Sequence, residues 1–263
     1  MVEAVRLEQH WLSFAASAGG GGRLVRVPGA QVLVNPTSDA GFCNFILLRE
    51  SADLATTLEL GKAVLAGEGR APLLFLGPLV SAIPAHALQD LGWREVARQV
   101  VLAAPLPPPV TTLNPAVVVR RAEPTELAAW GALLTEAYEV SPLAAPGIHD
   151  GYTALAADPG AAAQARFYLG ELEPPFGGQG RPVGTGLAWQ RGELLGLYAG
   201  AVRPEARGNG VERATLYHRM ADGAAAGASW AYLQTEVGSP VVGLACRHLG
   251  FVPVYERSVW VPR

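Results

Sequence analysis

The spacing of hydrophobic and polar positions divides the first hundred residues into short alternating elements. Apolar residues recur at helical spacing in three segments, 3–14, 56–65 and 84–91. Short runs rich in β-branched and aromatic residues predict four strands, 30–34, 42–48, 72–76 and 96–102. Segment 35–39 is turn-prone and makes the first two strands a hairpin, and the glycines at 19–22 require a loop. We therefore expect an α/β domain over residues 1–104.

A proline-rich segment then interrupts the pattern. Residues 105–109 contain four prolines, and Pro115 follows shortly after. Proline fixes φ and has no N–H group, so this segment suits neither a helix interior nor a central strand. It predicts a short, stiff linker over residues 105–116.

The alternation restarts beyond the linker and predicts a second α/β domain over residues 117–263. The predicted strands are 117–120, 166–172, 183–190, 194–202, 230–235 and 252–261. The predicted helices are 125–138, 209–226 and 240–249, the last ending at Gly250. Segment 176–180 predicts a turn. Segment 141–165, rich in Ala, Gly and Pro, is either a loop that covers a binding site or a featureless surface insertion.

Composition and charge narrow the function classes. Half of the 263 residues are hydrophobic, 16% are charged and the net charge is −3, with no basic run of the kind that nucleic-acid binding needs. No apolar run reaches about 18 residues, and the N-terminus lacks a signal-peptide pattern, so we expect a cytoplasmic protein without a membrane partner. Cys43 and Cys246 are too few for a disulfide framework or a zinc site, so we expect free thiols and no metal.

The segment that carries chemistry follows the strand 194–202. Arg207, Gly208, Asn209 and Gly210 form a glycine-bearing turn before a predicted helix. The first N–H groups of a helix lack intrahelical partners, and the helix dipole adds partial positive charge there, so the turn can bind an anion such as a pyrophosphate. The glycines allow close approach, and Arg207 adds a permanent charge. The sequence has no dinucleotide-binding or Walker-type glycine motif.

The order Val202-x-Pro204-x-x-Arg207-Gly208-x-Gly210 resembles motif A of the GNAT N-acetyltransferase superfamily. A second block of that family, a polar residue opening a helix that ends in Leu-Gly-Phe, is similar to residues 239–251. The resemblance covers about 117–261 and implies two GNAT-like domains, each with a mixed, mostly antiparallel sheet flanked by helices. Residues 1–104 have only the fold-like pattern and would be a degenerate copy.

The resemblance also implies a co-substrate and a set of contacts. Acetyl-CoA or another acyl-CoA would place its pyrophosphate on the turn at residues 207–210. Its pantetheine arm would lie along the strand 194–202, in the gap where this strand and the strand 230–235 splay apart. A backbone N–H within 198–202 would stabilise the oxyanion. The implied cofactor-binding residues are Ala201, Val202, Arg207, Gly208, Asn209, Gly210, Val211, Glu212 and Ser239.

Three of the implied site positions depart from the family pattern. Glu212 stands where a small residue is usual, and a carboxylate there is unfavourable unless it points away or meets a cation such as Arg213. Ser239 replaces a frequent Asn. Cys246 stands where a Tyr often protonates the leaving thiolate, and it is either a replacement acid or small core packing.

Two carboxylates at predicted strand ends, Glu193 and Glu236, are candidates to take a proton from the acceptor, with surface charge as the competing interpretation. Together these features predict an N-acetyltransferase that moves an acetyl group to a small-molecule or peptide amine by direct attack in a ternary complex. The alternative is a catalytically inactive acyl-CoA-binding or structural protein of the same fold. A homodimer is compatible with either.

Overall fold

The computed structural model describes residues 2–18, 20–36, 38, 41–50, 52–80, 83–140, 145–173 and 180–263. The chain divides into two units. The first unit comprises Met1–Val101, Thr235–Gly238 and Pro253–Arg263, and the second comprises Leu102–Gln234 and Ser239–Val252. Among the residues described, no helix combines the length and apolar character needed to cross a membrane.

In its described residues, the first unit is built around a mixed sheet with three α-helices. The helices are α1 (Ala4–Ser17), α2 (Leu54–Ala66) and α3 (Ala85–Asp90). The strands are β1 (Arg23–Val27), β2 (Ala30–Val34), β3 (Phe45–Leu48), β4 (Leu74–Leu76), β5 (Trp93–Pro105) and the last strand of the chain, β11 (Val252–Pro262). Their order is β1-β2-β3-β4-β11-β5, with β3 and β4 parallel and β4 and β11 antiparallel.

A buried aromatic and ionic cluster fills the interior of this unit. Trp11 stacks on Phe45 at a centroid distance of 4.7 Å, and the guanidinium of Arg257 lies 3.9 Å from the centroid of Trp11. Glu8 is fully buried and forms an ion pair with Arg49. Burial raises the pKa of Glu8, while Arg49 and Arg257 oppose that shift. An unpaired charge in a packed interior is costly, and the two arginines partly offset the burial of Glu8.

The second unit has an antiparallel sheet that ends in a parallel pair. The strands are β6 (Val117–Arg121), β7 (Ala165–Leu172), β8 (Arg181–Arg191), β9 (Leu194–Val202) and β10 (Trp230–Glu236). The helices are α4 (Leu127–Ala137), α5 (Ala145–Ala157), α6 (Pro159–Ala162), α7 (Val211–Ala225) and α8 (Pro240–Leu249). Strands β6 to β9 are antiparallel neighbours, whereas β10 runs parallel to β9.

Helices α4 and α7 cover opposite faces of this sheet. Phe167 of β7 packs edge-on against Trp130 of α4, with ring centroids 5.0 Å apart. The next residue, Tyr168, donates its hydroxyl hydrogen bond to Asp222 of α7 at 2.9 Å. Successive side chains of a strand point to opposite faces, so the two helices lie on different sides.

The structure differs from the expected elements at three places. Strand β1 was not expected, and the segment 141–165 contains α5 and α6 where a loop was predicted. The last strand, β11, was expected to complete the second domain, but Pro253–Arg263 belongs to the first unit, where Val259 pairs with Phe75. Most of the turn predicted at 176–180, and parts of the loops at 19–22 and 35–39, lie outside the described residues.

Candidate functional site

Two glycines in the left-handed conformation join β9 to α7. Gly208 has φ 81° and Gly210 has φ 82°, and α7 begins at the next residue, Val211. A Cβ on Gly208 would meet no atom within 4 Å. Glycine is therefore required here by the backbone conformation and not by crowding. The turn leaves the first N–H groups of α7 without intrahelical carbonyl partners.

Side chains from outside the helix hold this turn in place. Arg207 donates from Nε to the carbonyl of Val202 at 3.2 Å and from Nη2 to the carbonyl of Ala137 at 3.0 Å. Asn114, in the proline-rich segment, donates from Nδ2 to the carbonyl of Asn209 at 2.9 Å. These bonds fix the backbone of the turn, so its N–H groups are oriented before any ligand arrives.

The turn borders a cavity of about 830 Å³ within the second unit. Its basic lining residues are Arg207, Arg213, Arg247 and His248. Glu212 is the one acidic side chain among the described residues that line it. The other lining residues are Asn114, Ala137, Tyr138, Gly200, Ala201, Val202, Ala206, Gly208, Asn209, Gly210, Val211, Ser239, Pro240, Val241 and Leu244. The charged side chains that line the cavity are therefore mainly basic.

The wall of the cavity lies where two parallel strands separate. Leu194 to Leu197 of β9 pair with Trp230 to Leu233 of β10. Both strands continue beyond this pairing, to Val202 and Glu236, but these later residues form no further β9–β10 pairs in the described structure. The predicted splay of the two strands is thus present, and its β9 side faces the cavity at Gly200, Ala201 and Val202.

A β-bulge interrupts β9 at the edge of the splay. The register between β8 and β9 shifts between Thr185 and Leu187, so Ala199 and Gly200 together lie opposite Gly186. Ala199 has φ 49°, a conformation that a residue with a Cβ seldom adopts. Backbone strain of this kind persists only where the surroundings enforce it.

Three side chains enforce the bulge by binding successive carbonyl groups. The bonds are Arg219 Nη1 to Tyr198 at 3.0 Å, Thr185 Oγ1 to Ala199 at 2.9 Å and Tyr138 Oη to Gly200 at 2.8 Å. The N–H of a trans peptide points away from its carbonyl. The N–H groups of residues 199 to 201 are consequently turned away from these three side chains.

Glu212 and Arg219 form a buried charge pair beside the bulge. The side chain of Arg219 is 1% exposed and that of Glu212 is 19% exposed, with Nη2 and Oε1 4.0 Å apart. A Cβ on Gly200 would lie 2.9 Å from Oε1 of Glu212, and one on Gly186 would lie 2.8 Å from Cζ of Arg219. Burial raises the pKa of Glu212, and the charge of Arg219 opposes that shift. The cation near Glu212 is therefore Arg219 and not the expected Arg213.

Comparison with known proteins rests on structure, because no protein-family model and no curated protein matches the sequence. A GCN5-related N-acetyltransferase from Kribbella flavida superposes with a TM-score of 0.74 over 100% of this chain and 96% of its own, at 19% identity. The chain has the GNAT fold. A second GCN5-related N-acetyltransferase, from Sphaerobacter thermophilus, gives a TM-score of 0.65 over 88% and 79% of the two chains at 16% identity. A tandem GNAT protein from the clavulanic acid biosynthesis pathway gives 0.52 over 98% and 95% at 14% identity.

Within this GNAT fold, all nine predicted cofactor-binding residues line the cavity: Ala201, Val202, Arg207, Gly208, Asn209, Gly210, Val211, Glu212 and Ser239. Ser239 is also the N-cap of α8, because its hydroxyl accepts from the N–H of Val241 at 3.3 Å. The sequence pattern thus located a real cavity, although what occupies it stays a prediction.

The three predicted catalytic residues do not line the cavity. Cys246 is half-buried on α8 but lies off the helical stripe, formed by residues 240, 241, 244, 247 and 248, that faces it. Glu193 is exposed at the start of β9, the end of the strand remote from the bulge, where its carbonyl accepts from Ser229. Glu236 is exposed at the end of β10. Their catalytic roles therefore stay predictions.

Sequence reasoning overlooked several residues that shape the site. Arg219 and Thr185 fix the bulge, and Asn114 holds the turn from the predicted linker. The i to i+7 spacing of Glu212 and Arg219 was readable, since residues seven apart lie on one helix face. The hydrogen bond from Tyr138 to Gly200, 62 positions away, had no sequence signal.

Proposed function

We propose that the second unit binds an acyl-CoA, with acetyl-CoA as the expected donor, and transfers the acyl group to a primary amine. One observation carries the proposal. Gly208 and Gly210 adopt left-handed conformations at the N-terminus of α7, and this turn opens onto the cavity at the splay of β9 and β10. A phosphate-binding turn is thereby joined to a slot for an extended chain.

The turn suits the pyrophosphate of coenzyme A. The N–H groups at the start of α7 can each donate to a phosphate oxygen, and the helix dipole favours negative charge there. Arg213 and Arg247 line the same cavity and add positive charge. Neither makes a side-chain ion pair with a described residue, so their charges are available to an anionic ligand.

The splay suits the pantetheine arm and the thioester. Unpaired backbone groups at a strand edge can bind a linear amide much as they bind an added strand. The N–H group of Gly200, held by the bulge, is a candidate donor to the oxyanion. The nitrogen of the amine would form the C–N bond, and the carbon–sulfur bond would then break and release the coenzyme A thiol.

A second candidate is a protein of the same fold that binds the coenzyme without turnover, or has lost binding altogether. Two observations favour it: the carboxylate of Glu212 in the first turn of α7, and the position of Cys246 away from the cavity. A negative charge beside a pyrophosphate opposes binding unless a cation compensates it. Arg219, 4.0 Å from Glu212, supplies such a cation, and we therefore favour the active enzyme.

Two measurements on the purified protein separate these candidates. Calorimetric titration with acetyl-CoA, free coenzyme A and NADH tests the ligand class, and we expect micromolar binding of both coenzyme A forms and none of NADH. Release of free thiol from acetyl-CoA in the presence of polyamines, amino acids, aminoglycosides and short peptides tests turnover. Binding without turnover across this panel would favour the inactive protein, and no binding would refute the proposal.

A further inference from the structure

The carboxylate of Glu212 faces the cavity without a hydrogen-bond donor in the described part of the chain. It lies beside Gly200 at the bulge, and it is one of the lining residues. Its nearest charge, Nη2 of Arg219, is 4.0 Å away, beyond hydrogen-bond distance. Both carboxylate oxygens can therefore accept a proton from a group that enters the cavity.

Arg219 is held rigidly in place behind this carboxylate. Its Nε donates to the carbonyl of Thr215 at 3.1 Å, and its Nη1 donates to the carbonyls of Tyr198 at 3.0 Å and Leu187 at 3.3 Å. Nη2 is buried and has no hydrogen-bond partner among the described residues. A fixed cation of this kind keeps the carboxylate near the bulge without blocking either oxygen.

We infer that Glu212 is the general base that takes the proton from the acceptor ammonium group, and that Arg219 is its positioning residue. This inference rests on the proposed acyl transfer, and it assigns a role to the position where the resembled family has a small residue. Glu193 and Glu236, the carboxylates first considered for this role, are exposed and do not line the cavity.

The proton balance of the step is simple. An N–H bond of the acceptor ammonium breaks and an O–H bond forms on Glu212, which leaves a neutral amine with a free electron pair. That pair forms the bond to the thioester carbon, and the electron pair of the carbon–sulfur bond leaves with the coenzyme A sulfur. The thiolate then takes the proton that Glu212 holds, while the second ammonium proton is released to solvent as the amide forms.

Burial and one charged group act on the titration of Glu212. Arg219, on the same helix, lowers its pKa, and burial raises it, with burial the larger cause. Tyr138, at the end of α4, lines the same cavity, and the charge of Glu212 contributes to the raised pKa of that phenol. The net upward shift moves the carboxylate toward the pH range in which a base accepts protons effectively.

The test compares Glu212→Gln with Glu205→Gln, a matched loss of an exposed carboxylate that pairs with Arg181 outside the cavity. We expect Glu212→Gln to lower kcat about 100-fold or more, since general bases contribute about 10²–10⁴-fold. Its Kd for acetyl-CoA should be unchanged or tighter, and the acidic limb of the kcat–pH profile should vanish. Glu205→Gln should match the wild type in all three.

The outcomes separate the inference from the proposed function. If wild-type protein releases no thiol with any amine, acyl transfer is refuted and the inference falls with it. If the wild type is active and Glu212→Gln keeps its kcat and acidic limb, the inference alone is wrong. Should Glu212→Gln fail to fold, Glu212→Asp decides: a lower kcat with a shifted acidic limb supports the base, and an unmoved limb with full kcat refutes it.

Discussion

Replacing Gly210 with valine tests the phosphate-binding turn. Gly210 has φ 82°, and a Cβ there would make only ordinary contacts, 3.6 Å from Cβ of Asn114 and 3.8 Å from Nη2 of Arg213. The added side chain therefore acts on the backbone conformation, which costs about 1–2 kcal/mol for a residue with a Cβ. The chain can escape that cost by rotating the turn, which redirects the N–H groups at the start of α7.

The loss of binding follows from the hydrogen bonds that the turn would make. One hydrogen bond to a charged group is worth about 1.5–3 kcal/mol, which corresponds to a Kd for acetyl-CoA raised about 10- to 150-fold. Calorimetry measures this change directly. Gly192→Val is the matched control, because Gly192 has φ 58° and open space around it at the β8–β9 turn, remote from the cavity. Equal affinities of the two variants would refute the turn assignment.

Three further predictions concern the bulge, the thiols and the last strand. Tyr138→Phe removes the hydroxyl that donates to the carbonyl of Gly200. We expect thermal melting to show that the free energy of unfolding falls by about 1 kcal/mol. Steady-state kinetics should show a kcat lowered about tenfold, and the Kd for acetyl-CoA should be unchanged. Burial raises the pKa of Cys43 to about 12, so a thiol reagent should label only Cys246 in the folded protein. Because the folded state favours the protonated thiol of Cys43, this thiol contributes its full stabilisation below pH 9.0. Thermal melting should show that contribution declining as the pH rises toward 12. A chain of residues 105–263 lacks β4, the antiparallel partner of β11, and should aggregate in size-exclusion chromatography, where a monodisperse folded peak would contradict this expectation.

The sequence predicted most elements because their local signals were strong. Helix α8 shows this clearly: Ser239 caps its start, and Gly250 ends it in a left-handed conformation with φ 74°. The signal for the turn before α7 was equally local, because Arg207, the two glycines and the start of the helix lie within five residues. Such signals depend only on residues that are close in the chain, so they can be read without knowledge of the tertiary structure.

What the sequence did not predict depends on contacts between distant residues. β11 follows α8 in the chain, and nothing in its residues indicates that Val259 pairs with Phe75 of β4, 184 positions earlier. Helix α5 was hidden because Pro146 and two glycines lower helix propensity, whereas packing of Tyr152 against Trp130 stabilises it.

The proton-accepting candidates were predicted from local signals alone. Glu193 and Glu236 were chosen for their positions at strand ends, but the splay opens at only one end of β9, and Glu193 lies at the other. The sequence suggested Arg213 as a cation for Glu212, whereas in the structure Nη2 of Arg219 lies 4.0 Å from its carboxylate. This arrangement depends on Gly186 and Gly200, whose missing side chains leave room for the pair.

The most direct test of the central claim is the response of the backbone amides to acetyl-CoA in ¹H–¹⁵N correlation spectra. The claim is that the turn before α7 binds the pyrophosphate of acetyl-CoA and that the bulge of β9 binds the thioester at the other end of the pantetheine arm. We predict that the largest shifts occur at Gly208, Gly210 and Val211 and at Gly200 and Ala201, and that NADH at the same concentration leaves these resonances in place. Spectra in which these amides do not respond to saturating acetyl-CoA would contradict the account.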